Sequence, residues 1–113
     1  MDLKKLYRDV TVLCREEIPL NDFLLYCDMA VRTFLAKYPK KYLLPKGQYS
    51  SPTSLSDSLM ISGEFYNAVL YFVAGNCTLN EKQLELSEDA ASNAYIKMWR
   101  ENARGKHIRG DKW

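Results

Sequence analysis

Histidine is nearly missing from this chain: His107 is the only one in 113 residues. A Ser–His–Asp or Cys–His site would have to use it, and it stands in a glycine-flanked terminal segment with nothing to orient it as a base. The five glycines, at 47, 63, 75, 105 and 110, never cluster, so no phosphate-cradling loop is present. There is no Cys-x-x-Cys; Cys14, Cys27 and Cys77 are odd in number and widely spaced. This argues for reduced intracellular folding, with the thiols acting as small core hydrophobes, and against a disulfide framework or a four-ligand zinc site. The longest apolar run, Phe65 to Gly75, is interrupted by Asn67 and falls well short of the about 20 residues of a membrane span. Met1 to Lys5 has no apolar stretch behind it and is not expected to act as a secretory signal. Sixteen basic residues against fourteen acidic leave +2, too little for a dedicated nucleic-acid binder. No enzyme, cofactor or metal is expected.

What is present is the composition of one globular domain, 47% hydrophobic and 27% charged. Leu3, Leu6, Tyr7, Val10 and Leu13 have amphipathic helical spacing behind Asp2 as N-cap, so a first helix is predicted over 2–17. Pro19 separates it from a second over 20–38, where Leu20, Phe23, Leu24, Cys27, Ala30, Val31 and Phe34 keep the period until Pro39. A third is predicted over 62–75, capped by Ser62 and stopped by Gly75-Asn76. Apolar on every face, it is either the centre of the bundle or shared with a neighbouring subunit, with Tyr66, Tyr71 and Phe72 as candidate interface residues. A fourth runs over 80–104 from the capping-box pair Asn80 and Gln83, with a restart at Ser87 as an alternative, and Gly105 ends it. The expected fold is all-α: a bundle of about four helices forming one domain over 1–104, with an extended tail over 105–113.

Two segments lack helical periodicity. Residues 39–61 carry Pro39, Pro45, Gly47 and Pro52 and a serine cluster, and are expected to form a long extended loop, or a short β-hairpin through the weakly alternating Leu55–Ile61. Ala36–Ser50 holds four lysines and no acid, and Lys40, Lys41, Tyr42, Leu43, Leu44, Lys46 and Tyr49 are its candidate contacts with a neighbouring subunit or tail-side protein. Arg100–Trp113 has five bases against two acids, and Arg104, Lys106, His107, Ile108, Arg109, Lys112 and Trp113 form a candidate docking tail. These two segments carry +4 and +3, so the remaining body carries −5.

The order of elements and several local patterns resemble the small head–tail connector proteins of tailed bacteriophages. The second helix reads Pro19-Leu20-Asn21-Asp22-Phe23-Leu24-Leu25-Tyr26-Cys27-Asp28-Met29-Ala30 and closes on Tyr38-Pro39. A Pro-containing insert then leads through Leu59-Met60-Ile61 into Phe65–Gly75, and a last helix carries Ala90, Ala91, Ala94 and Tyr95. The resemblance implies a structural virion protein, assembled in the host cytoplasm as a twelve-fold homo-oligomeric ring beneath the portal protein. It further implies a neck location, a lumen through which genomic DNA passes without sequence-specific binding, a platform for the downstream neck or tail protein, and no membrane association. The tail from Gly105 would then dock on the portal, and Pro39–Thr53 would reach a neighbour or the tail side. The alternative is a small intracellular helical binding module acting on a protein or nucleic acid through its basic segments.

Overall fold

The computed structural model describes the backbone of residues 1–110 and side-chain surroundings as far as Ala103. Five α-helices follow in order: α1 (Leu3–Cys14), α2 (Leu20–Lys37), the single turn α3 (Lys40–Leu43), α4 (Tyr66–Thr78, entered through a 3-10 turn at Gly63–Phe65) and α5 (Glu81–Gly110). The all-α class is as expected.

Each boundary has a local cause. The Asp2 carboxylate accepts from the Lys4 amide at 2.9 Å and starts α1. That helix stops at Cys14, three residues before the expected end. Arg15 turns into the left-handed region (φ 58°) and its amide returns to the Thr11 carbonyl. The stop lets Ile18 bury itself, with its carbonyl accepting the Tyr7 hydroxyl. α2 begins directly after Pro19 with Asp22 in its first turn and ends at Lys37, where Tyr38 is extended ahead of Pro39.

α4 sits at the centre, packed by α1, α2 and α5, which explains an apolar sequence all round it. It passes through the expected stop at Gly75-Asn76 and ends at Thr78, where Leu79 takes the left-handed cap (φ 53°). Gly75 is needed for a different reason. A Cβ there would stand 2.8 Å from Leu84 Cδ2 and 3.1 Å from the Leu84 amide nitrogen, so its missing side chain lets α5 approach α4.

The Asn80 side chain caps α5 at the Gln83 amide, 3.1 Å away. The helix does not restart at Ser87, whose buried hydroxyl instead donates to the Ala68 carbonyl at 2.6 Å. Gly105 does not end it either: α5 continues to Gly110, so the expected extended tail over 105–113 is helical as far as it is described. A glycine terminates a helix only where the backbone turns left-handed; in a helix interior it costs merely about 1 kcal/mol. Residues 111–113 lie outside the described residues.

The insert between α2 and α4 forms no strand or hairpin among the described residues; its one β contact is an isolated antiparallel bridge between Asp2 and Ser58. Its polar side chains satisfy the backbone that a strand would have paired. The Asp57 carboxylate accepts from the Thr53 amide (2.8 Å), the Thr53 hydroxyl (3.0 Å) and the Ser54 amide (3.2 Å). The C-terminal end of the insert is tied down, by Leu59 donating to the Met1 carbonyl at 2.9 Å and by Ser62 donating to the Leu43 carbonyl of α3 at 2.7 Å.

Candidate docking surfaces

The loop set predicted from the sequence divides in two. Tyr42, Leu43 and Leu44 are buried in the chain's own core and are not offered to a neighbour, which corrects that part of the expectation. α3 is amphipathic within a single turn, and the Tyr42 ring meets Tyr95 edge-on at 5.4 Å, while Tyr95 also lies 5.2 Å from Tyr38. Lys40, Lys41 and Lys46 point to solvent, and Lys41 Nζ lies 5.1 Å from the Tyr42 ring centre. Lys37 is drawn toward Glu88 of α5 at 3.8 Å.

Tyr49 is half-buried in a small polar clasp. Its hydroxyl donates to the Asp28 carboxylate at 2.6 Å, which also accepts from the Ser51 hydroxyl at 2.8 Å and from Arg32 Nε at 3.0 Å. Arg32 Nη2 reaches the Ser51 hydroxyl at 3.1 Å, closing the network. Partial burial pulls the Asp28 pKa upward, but the hydrogen bonds from Tyr49, Ser51 and Arg32 outweigh it and hold the carboxyl below its ordinary value. Burial, with the Asp28 acceptor, pushes the Tyr49 phenol well above its usual range. The clasp fastens the insert to α2. Asp28 stood in the sequence only as part of a helix pattern, and its role was not visible there.

The tail residues Arg104, Lys106, His107, Ile108, Arg109, Lys112 and Trp113 lie outside the side chains described. What precedes them is Trp99, half exposed on α5 (52%) beside the exposed Arg100. Sequence reading passed over Trp99. It was legible, because 99 falls off the stripe of Leu84, Ala91, Ala94, Tyr95 and Met98 that packs inward. The candidate subunit contacts on α4 are partly absorbed within the chain. Tyr66 donates to Asp9 on α1, Phe72 lies edge-on to Phe34 at 6.0 Å, and both they and Tyr71 are half-buried.

Chemistry has little to work with among the described residues. Burial raises all three thiols: Cys14 is lifted, Cys77 is pushed up to about 11, and Cys27, deep in the core, rises further. They therefore stay protonated at neutral pH and are weak nucleophiles. Among the described residues no three His, Cys, Asp or Glu side chains converge as metal ligands, and no helix is long and apolar enough to cross a membrane. A cavity of about 610 Å³ lies under the insert between Lys46, Ser50, Thr53, Asp57 and Met60. Its one carboxylate, Asp57, is already occupied by the Thr53 and Ser54 donors, which hold it below its ordinary pKa. The arrangement can present charge and apolar surface to another macromolecule.

No family model, curated protein or solved structure matches this chain.

Proposed function

We propose that the chain is a structural protein of a tailed phage neck, forming a ring under the portal and extending the DNA channel toward the tail. The observation that carries this reading is α5. It is a 30-residue helix, about 45 Å long, that packs on α4 and whose residues 96–110 carry five Lys or Arg against one Glu. That shape suits a body that stands in a ring and sends a basic helical arm into a portal. The residue patterns of α2 and α4 supply the rest of the case, since they are similar to those of head–tail connectors. The pinned insert, with Lys40, Lys41 and Lys46 outward, would then face a neighbouring subunit or the downstream neck protein. Near-neutral overall charge suits a channel wall past which DNA slides, because strong phosphate contacts would hold the genome back. The test is mass spectrometry of purified particles together with co-assembly on the portal protein. Stoichiometric presence in particles and portal-dependent rings support the reading; absence from intact particles overturns it.

The exposed lysines on and after α3 favour one other reading, a small helical binding module that holds nucleic acid. It predicts salt-sensitive binding of duplex DNA by the purified chain, lost in a Lys40→Glu, Lys41→Glu, Lys46→Glu variant.

A further inference from the structure

Cys14 is the last residue of α1 and Cys77 stands in the last turn of α4. Far apart in sequence, they are brought together by packing. α1 and α4 run side by side in the same direction: Asp9 meets Tyr66 at the start of α4, and Cys14 meets Ala74 toward its end. The Cys14 sulfhydryl donates to the Ala74 carbonyl at 3.8 Å. Cys77 follows Ala74 by three residues, so the two share one face of α4. Helical side chains lean back toward the N-terminus, which carries the Cys77 sulfur over the turn that holds Ala74. Ala74 is fully buried and puts only a methyl group between the two backbones. The two sulfurs therefore stand beside each other in the seam between α1 and α4. Electrostatics agrees with this placement: burial first, and then Cys14 itself, pushes the Cys77 thiol up to about 11.

Exposure separates this pair from the third thiol. Cys14 and Cys77 are half-buried and open to small solutes, whereas Cys27 is wholly enclosed in the core. We propose that Cys14 and Cys77 are a cross-linking site, oxidised in the folded chain to a disulfide that staples the end of α1 to the end of α4. The co-reactant is a low-molecular-weight disulfide such as glutathione disulfide. Its S–S bond breaks, the Cys14 Sγ–Cys77 Sγ bond forms, and the two thiol protons and two electrons leave with two molecules of glutathione. Burial keeps both thiols protonated at pH 7, so closure is slow there and quickens about tenfold per pH unit. The early stop of α1 helps, because the chain leaves the helix at left-handed Arg15 and Cys14 can shift without dragging a further turn. Closing a loop of about 60 residues removes freedom from the unfolded chain and stabilises the fold. A chain folded with reduced thiols is thus locked afterwards, when it meets an oxidising medium.

The test incubates the reduced, folded full chain with glutathione disulfide at pH 8. Free thiols are then blocked in denaturant, and the chain is digested with trypsin without reduction. Trypsin places the three cysteines in separate peptides, 9–15, 16–32 and 47–82, so mass spectrometry reads the pairing directly. The expected product joins 9–15 to 47–82 and leaves Cys27 blocked as a free thiol. Its melting temperature stands about 10 °C above that of the reduced chain, and dithiothreitol abolishes the difference. Cys27→Ala keeps both the product and the shift, while Cys14→Ser and Cys77→Ser each lose them with helical circular dichroism unchanged. A product that joins 16–32 to either partner overturns the proposal. So does a folded chain that keeps its thiols free or carries only glutathione adducts, or a cross-linked chain that melts no higher. No portal or particle enters the experiment, so its failure is distinct from failure of the phage neck reading.

Discussion

The Tyr49 hydroxyl meets the Asp28 carboxylate at 2.6 Å, joining the middle of a long insert to the middle of α2 across 21 residues of sequence. Asp28 is mostly shielded, with 21% of its side chain exposed, and it is the common acceptor for three donors. Hydrogen bonds to a charged group contribute more than neutral ones, so this carboxylate decides whether residues 45–57 are held or released.

Asp28→Ala is expected to free the insert and to cost about 1–3 kcal/mol in global stability. Limited proteolysis should move to the segment between Gly47 and Thr53, while the helical circular dichroism signal stays. The folded pKa of Asp28 lies below its unfolded value, so its contribution is complete at neutral pH and is lost as pH falls through the folded value. The stability gap between wild type and Asp28→Asn should therefore close below about pH 4. A gap that persists at lower pH would show that ionisation of Asp28 is irrelevant to the clasp.

Gly75→Ala should destabilise the bundle by about 1–3 kcal/mol, because the new methyl meets Leu84 from two sides. The Cδ2 contact at 2.8 Å is relieved by rotating a side chain, but the backbone nitrogen at 3.1 Å moves only if α5 moves. Denaturant unfolding of Gly75→Ala and of Gly75→Ala, Leu84→Ala separates the two. The double variant should recover none of the loss if the backbone contact governs.

Leu79→Gly should raise stability by about 1 kcal/mol, since glycine adopts the left-handed cap without strain and no buried contact is lost. Thermal unfolding reads this directly. A fall in melting temperature would mean that Leu79 packs more closely than its exposure indicates.

Phe72→Asp should cost about 2–4 kcal/mol, because it removes the edge-on contact with Phe34 and places a carboxylate against the wall formed by α2 and α5. A soluble, fully folded variant of wild-type stability would place this face in solvent.

Helix identity was legible in the residues because it depends on local periodicity and on caps within a few positions. Asp2, Pro19, Pro39 and Asn80 each act on their immediate neighbours, and they bound helices close to where their chemistry predicts. The all-round apolar character of α4 likewise announced a helix enclosed on several sides. The early stop of α1 comes from Arg15, a non-glycine residue in the left-handed region, and the other misread boundaries are those where a glycine had two possible uses. Gly75 serves a close approach between helices and Gly105 lies within one, and a glycine's local sequence does not distinguish these roles from a cap.

The insert shows what sequence could not reach. Its lysines and its Tyr42-Leu43-Leu44 run looked like one contact segment, because charge and apolarity are visible along a chain while direction is not. Only packing against Tyr95 sends Tyr42 inward and leaves Lys40 and Lys41 outside. The same holds for contacts between distant residues. Cys14 and Cys77 come together only because α1 lies parallel to α4, and Asp28 meets Tyr49 only because the insert folds back on α2. Local propensities are set by neighbours in the chain and were readable from the first residue to the last. Which side chains share a surface is set by long-range packing, and that was decided by the fold.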